Sequence, residues 1–313
     1  MHPSHHLGPM KATLAVLTTS LLLCTSCGDS AAPVLLEPDE RIIGRSGDDA
    51  QVRLLTTSHR LLVVDVRGRS RLPTMRQTAI ALESGDEPWG LATSPDGRLW
   101  TLIGTNRLVK IDEHGRIAER VSTKAHYIGL FSVANTVLVQ SATPAAGRPA
   151  LQSLDLRTML TRPAGSLRSV QFATRLDTLT RNLVACGSTR GSELPCWFAQ
   201  GLDVDKVSTR GDSRQQRLRG VGIRSPDPDA VRLEEMSGPI IDAHIDVLGR
   251  LWVLVRRSNG QHQPEYVVAR YSALDELQHV LAAPDTSRLI LTVRGSDCLL
   301  LTGNGQFATI TAS

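Results

Sequence analysis

The chain has 313 residues, of which 41% are apolar, 21% charged and 4% aromatic. That balance excludes an intrinsically disordered chain and leaves material for one large domain or two small ones. The formal net charge is only +4, and the basic residues, nearly all arginine, are spread along the whole length. An even spread argues against a nucleic-acid footprint.

Residues 11–27 read KATLAVLTTSLLLCTSC: one lysine, an apolar run from Ala12 to Leu23, then small residues and a cysteine. This is the layout of a secretory signal, and the run is too short for a membrane-spanning helix, which needs about 20 apolar residues. The segment ending in Cys27 resembles a bacterial lipoprotein signal, with Cys24 where that pattern usually has an aliphatic residue. The resemblance implies cleavage after Ser26, a lipid on Cys27 and a place in the cell envelope, with a periplasmic or secreted protein as the alternative. Residues 1–27 are therefore expected to be a leader and 28–40 a linker to a single domain over 41–313.

From about residue 40 the chain is a series of short apolar runs separated by Gly, Pro, Asp, Asn and Ser. RLLVVDV (60–66), RLWTLI (98–103), TVLVQ (136–140) and RLWVLV (250–255) are examples. Short runs at regular spacing with turn residues between them predict an all-β domain. Residues 273–281 also fit one face of a helix, but strand–turn–strand agrees better with what surrounds them.

Two stretches resemble each other. PWGLATSPDGRLWTL (88–102) and IIDAHIDVLGRLWVL (240–254) share Gly-Arg-Leu-Trp, at Gly97–Trp100 and Gly249–Trp252. Each reads as a strand, a tight turn whose glycine takes positive φ, and a second strand carrying a large core aromatic. The first copy resembles a blade of the NHL-repeat and virginiamycin B lyase-like β-propellers; the second is a degenerate version. Trp100 and Trp252 lie 152 residues apart. That interval is three steps of about 51 residues, close to the length of a propeller blade. Clusters at 127–156 and 170–207 fill it, and further blades over about 50–83 and 289–311 make six. A seven-bladed ring is the alternative. A strand near Arg41–Arg45 is expected to complete the last blade from the other end of the chain, hiding an open sheet edge.

The resemblance places the strand before each Gly-Arg-Leu-Trp turn nearest the central axis. In the second copy a period of two puts Asp242, His244 and Asp246 on one face and Ile241, Ala243 and Ile245 on the other. A carboxylate beside an imidazole raises its basicity and can orient it as a base or metal ligand, which makes Asp242 and His244 the catalytic candidates. The plainer reading is a polar strand along a water-filled channel, with Asp246 opening the turn. Glu87, Trp89, His126, Tyr127, Gln171 and Asp246 are candidates for lining a pocket at one end of the channel. The lyase family's catalytic histidine has no counterpart in the first copy, where Ala92 and Thr93 occupy the inner strand. No three-residue metal set of the lactonase propellers is present either, so no metal site is assigned and no cofactor is specified.

Cys186 and Cys196 bracket the turn-like GSTRGSELP and are expected to form a hairpin disulfide in an oxidising compartment. Cys298, in an apolar run, is expected to be a buried free thiol. Arg210-Gly211-Asp212 lies in an arginine-rich stretch (208–230) that reads as a solvated loop. The sequence thus points to an exported, lipid-anchored, monomeric propeller that binds a protein, peptide or glycan on one ring face without catalysis. The alternative is a metal-assisted hydrolase or lyase working through Asp242 and His244.

Overall fold

The computed structural model describes residues 36–312 except 38, 48–49, 68–72, 113, 135, 143–145, 171–181, 200, 224–237 and 259–262. Every regular element in them is a β-strand, and the strands form six small sheets arranged as a six-bladed β-propeller. Blade 1 holds β1 (Ile42–Gly47), β2 (Gln51–Thr56), β3 (Arg60–Asp65) and β4 (Thr74–Ala79); blade 2 holds β5 (Pro88–Thr93), β6 (Leu99–Ile103), β7 (Arg107–Ile111) and β8 (Ile117–Ser122). Blade 3 runs from β9 (Tyr127–Val133) through β10 (Thr136–Ser141) and β11 (Pro149–Asp155) to β12 (Leu160–Arg168). In blade 4, β13 (Val184–Cys186) and β14 (Ser188–Thr189) precede β15 (Glu193–Phe198), β16 (Asp203–Ser208) and β17 (Ser213–Arg217). Blade 5 comprises β18 (Ile240–Ile245), β19 (Leu251–Ser258), β20 (Pro264–Tyr271) and β21 (Leu277–Ala282), and blade 6 β22 (Ser287–Arg294), β23 (Asp297–Thr302) and β24 (Phe307–Thr311).

Within each blade neighbouring strands pair antiparallel, except that β14 leaves its own blade, where β13 pairs directly with β15, and joins β18 of the next. Because side chains alternate along a strand, each blade offers one apolar row to the blade before it and one to the blade after it. In β19, Leu251, Val253 and Val255 pack with Trp197 and Val204 of blade 4. The intervening Trp252 and Leu254 pack with Ile290, Cys298 and Leu300 of blade 6. Six such layers occur, one at each junction around the ring. Burial of these rows, at about 25 cal/mol per Å² of apolar surface removed from water, is the main term holding the blades together.

The twin turns form as their sequence predicts. Gly97 and Gly249 have φ of 76° and 71°, and Trp100 and Trp252 are 5% and 0% exposed. Residues 273–281 form a turn and a strand rather than a helix. Ring closure differs from expectation. Residues 42–47 do not complete the last blade: they pair with β2 as the innermost strand of the first one, and blade 6 has three strands among the described residues. The seam is instead sealed by side chains, with Leu289, Leu291 and Leu301 of blade 6 packed on Val52, Leu54 and Val64 of blade 1, and Leu36 added from upstream. The stretch 208–230 also departs from a plain loop, since its residues 213–217 are the outer strand of blade 4.

Candidate functional site

The innermost strands β1, β5, β9, β13, β18 and β22 surround a central channel, and their direction divides it. Their leading residues, such as Ile43, Gly90, Ile128, Val184, Ile241 and Leu289, line a wide cavity of about 860 Å³. Residues further along the same strands, such as Ser46, Thr93, Ser132, His244 and Thr292, line a narrower one of about 300 Å³. Arg45 borders both.

Arg45 is a buried cation in the partition. Its Nη1 donates to Asp242 Oδ2 at 2.9 Å, and its Nη2 donates to the carbonyls of Leu291 (3.1 Å) and Ile290. Asp242 Oδ2 also accepts the Ile290 N–H at 2.6 Å. Three blades thus meet on one ion pair. Burial pushes the Asp242 carboxyl up and the Arg45 guanidinium down, and each charge opposes the shift of the other. A pair this enclosed is held in place by its hydrogen bonds, because charges out of water are costly unless every lone pair and proton is used.

His244 lies on the same strand but works at the other end. It is 2% exposed and its Nδ1 is 2.6 Å from Ser188 Oγ. Ser188 reaches it because β14, the tip of the blade 4 hairpin, pairs in parallel with β18 of the next blade, Ser188 opposite His244. The approach is so close that a Cβ on Gly187 would lie 1.8 Å from the Ala243 carbonyl oxygen, so only glycine fits there. A disulfide between Cys186 and Cys196 fastens the base of this hairpin. Burial, then the positive charges of Arg45 and Arg190, push the imidazole well below its usual range, so the ring is neutral. Its Nε2 is buried and has no hydrogen-bond partner among the described residues.

The other candidates fall in four groups. Glu87 and Trp89 stand at the wide cavity, both exposed, Trp89 at 40%. His126 and Tyr127 line neither cavity. His126 is exposed, its Nδ1 2.8 Å from Thr105 Oγ1, and the Tyr127 ring is buried in the apolar layer between blades 2 and 3. Asp246 is a turn residue: it accepts the N–H groups of Leu248 (2.9 Å) and Arg250 (3.0 Å), the Arg250 Nε (2.6 Å) and the Trp252 indole (3.1 Å). Gln171 and Cys27 lie outside the described residues. Cys298 is a buried free thiol whose pKa burial pushes up.

Sequence reasoning missed Arg45, Ser188 and Thr292 as site residues. Only Arg45 carries a local signal, a charge that follows Ile42-Ile43-Gly44 within one short strand. Chemically, Asp242 is occupied by Arg45 and Ile290 and makes no hydrogen bond to His244, so the two do not form a catalytic dyad. Among the described residues, no three His, Cys, Asp or Glu side chains converge where a metal ion would sit. The wide cavity is mainly an apolar and aromatic recess with charged groups (Arg41, Glu87, Arg256, Arg288) among its lining.

No protein-family model matches the chain, and no curated protein does. Solved structures do resemble it. A catalytically inactive variant of virginiamycin B lyase from Staphylococcus aureus, solved with quinupristin, aligns over 89% of this chain and 87% of its own, at 14% identity and a TM-score of 0.49. A streptogramin B lyase aligns over 87% and 83%, at 12% identity and a TM-score of 0.47. A member of the duf4221 family from Bacteroides vulgatus aligns over 86% and 92%, at 11% identity and a TM-score of 0.49. The propeller is what these proteins and this chain have in common, and the likeness carries no statement about chemistry.

Proposed function

We propose that this protein is an exported, lipid-anchored propeller that binds a peptide, a protein segment or a glycan at the wide end of its channel, without catalysis. The observation that carries the reading is Trp89. It is the exposed member of the four tryptophans, at 40% against 5% or less for Trp100, Trp197 and Trp252, and it stands on the innermost strand of blade 2 beside a cavity of about 860 Å³. A large aromatic left in water beside a concave apolar surface is a ready contact for a ligand that has both apolar faces and polar edges. Export and anchoring rest on the leader ending in Cys27 and are supported by the disulfide, which belongs to an oxidising compartment.

The test uses the purified chain against immobilised peptides and glycans. A ligand of this site is expected to shield Trp89 from acrylamide quenching and to bind Trp89→Ala at least tenfold more weakly. Ligands that bind Trp89→Ala as well as the parent would place recognition elsewhere and overturn the reading. Labelling cells with radioactive palmitate checks the anchor: the wild-type chain is expected to take up label and Cys27→Ser to take up none. An unlabelled wild-type chain would refute it.

A further inference from the structure

The wide end of the channel is ringed by six residues, one from each innermost strand: Ile43, Trp89, Ile128, Ala185, Ile241 and Arg288. Each stands two residues after a carbonyl that accepts an N–H near the end of the strand paired with its own, so the six share one level. All of them line the cavity of about 860 Å³, and all are exposed or half-buried, open to water. In five of the six blades the ladder slips at this level. The pairing passes over Ile43, Trp89, Ile128, Ile241 and Arg288, as it does where a β-bulge inserts an extra residue. A bulge leaves its extra residue unpaired in the ladder and re-aims the side chain, and bulges gather next to functional sites.

The ring is apolar at five positions and cationic at one. Arg288 is exposed and makes no side-chain hydrogen bond or ion pair among the described residues. Gly303 makes room for it: a Cβ there would lie 3.1 Å from Arg288 Nε, so the side chain rests on its own blade at the cavity wall. Arg41, two residues before Ile43 on the adjoining blade 1, lines the same cavity and is likewise exposed without a side-chain partner among the described residues. Three of the four acids in the described lining are already paired, Glu40 with Arg60, Asp86 with Arg107 and Asp242 with Arg45. Glu87, on blade 2, is the one left open.

We propose that the wide cavity takes the C-terminal end of an apolar peptide, with its carboxylate on Arg288 beside Arg41 and its last side chains on Trp89 and the isoleucines. The proposal rests on the reading that the wide cavity is the ligand site, and it narrows the ligand. A carboxylate meets a guanidinium in two parallel, charge-assisted hydrogen bonds, among the strongest available. One cation among apolar positions suits a chain end, because an apolar residue carries a carboxylate of its own only at a C-terminus. A glycan would bring hydroxyl groups to a ring with one polar side chain in six. A fatty acid would bring a carboxylate and an apolar chain, but none of the N–H and C=O groups with which a peptide pairs to strand backbone left out of a ladder.

The experiment offers the purified chain a pool of N-acetylated pentapeptides of alanine, valine, leucine and phenylalanine, made once as free acids and once as C-terminal amides. Titration calorimetry gives Kd for the peptides retained. Free acids are expected to bind at least tenfold more tightly than their amides. Arg288→Gln is expected to bring each acid to the level of its amide and to leave the amide unchanged, its thermal midpoint reporting that it folds. Trp89→Ala is expected to weaken acid and amide alike. Equal binding of acid and amide, or a preference for the acid that survives in Arg288→Gln, would overturn the proposal, while a remaining dependence on Trp89 would uphold the wide cavity as the site. Peptides bound by Trp89→Ala as well as by the parent would overturn that reading itself. Decanoate forms a third arm: its binding through Arg288 where no pool member binds would assign the site to acyl chains, and no binding in any arm would equally refute the peptide.

Discussion

Blades 2 and 5 carry the same strand–turn–strand device and differ in what their innermost strands place inside it. Where blade 2 has Gly90, Ala92 and Ser94, blade 5 has Asp242, His244 and Asp246 at the same distances before the Gly-Arg-Leu-Trp turn. Ala92 is a fully buried packing residue, whereas all three blade 5 groups are polar and 3% exposed or less. The two blades present the same surface of alternating apolar rows to their neighbours. Blade 5 has in addition become a place where arginine charges are met: Arg45 from blade 1 by Asp242, and Arg250 of its own turn by Asp246. The fold therefore tolerates a change from a bland strand to a polar one, provided each new group has a partner.

The sharpest way to break this comparison is at its first position. Asp242→Ala leaves the Arg45 guanidinium buried without its carboxylate and the Ile290 N–H without an acceptor. Removing one member of a buried pair costs about 3–5 kcal/mol. The double variant Arg45→Met/Asp242→Leu, which removes both charges, is expected to recover most of that loss. Urea denaturation of the three proteins measures both effects, and a loss below about 1 kcal/mol in Asp242→Ala would mean that the pair is solvated.

The last of the three positions gives a smaller contrast. In blade 5 Asp246 ties the turn to the buried indole, with Trp252 Nε1 donating at 3.1 Å, while in blade 2 Trp100 Nε1 donates to Ser94 Oγ at 3.2 Å. The indole bond is kept and its acceptor has changed from a hydroxyl to a carboxylate. Blade 2 has Asp96 two residues later to share the work, accepting from Ser94 Oγ and, at 3.4 Å, from the Arg98 N–H. Blade 5 has Leu248 there, so Asp246 serves the whole turn alone. Asp246→Ala is accordingly expected to cost about 2–3 kcal/mol, in the range for hydrogen bonds to a charged group, and Ser94→Ala about 1 kcal/mol. Equal losses in the two variants would show that the turns do not differ energetically.

How far the sequence announced these features depends on how local they are. The strands, the turn glycines and the twin tryptophans are set by neighbours within a few residues, through a period of two and a residue that takes positive φ. They were legible for that reason. The closure of the ring was not. The signals in Ile42–Gly47 suit an innermost strand of the first blade as well as an added strand of the last, and only the distant pairing decides. Asp242 and His244 stood out as a polar face, yet what each does is fixed by partners 197 and 56 residues away. Tyr127 was read toward the channel because it begins an innermost strand; its ring turns instead into the apolar layer between two blades.

The middle position, Ala92 against His244, separates the blades by pH. The folded chain holds the His244 imidazole well below its usual range, chiefly through burial. In the unfolded chain the ring titrates near its ordinary value of about 6.5. As pH falls below that value the unfolded state takes up the proton first, so this contribution to stability, full above about pH 6.5, is lost on acidification. The loss approaches about 1.4 kcal/mol per pH unit until the folded ring is itself protonated. His244→Asn removes the titrating group while keeping a polar side chain, so the stability of that variant is expected to fall less than that of the parent between pH 7.0 and 5.5. Parallel losses in parent and variant would assign the acid sensitivity to groups outside blade 5, and the polar strand would then cost the ring nothing that blade 2 does not also bear.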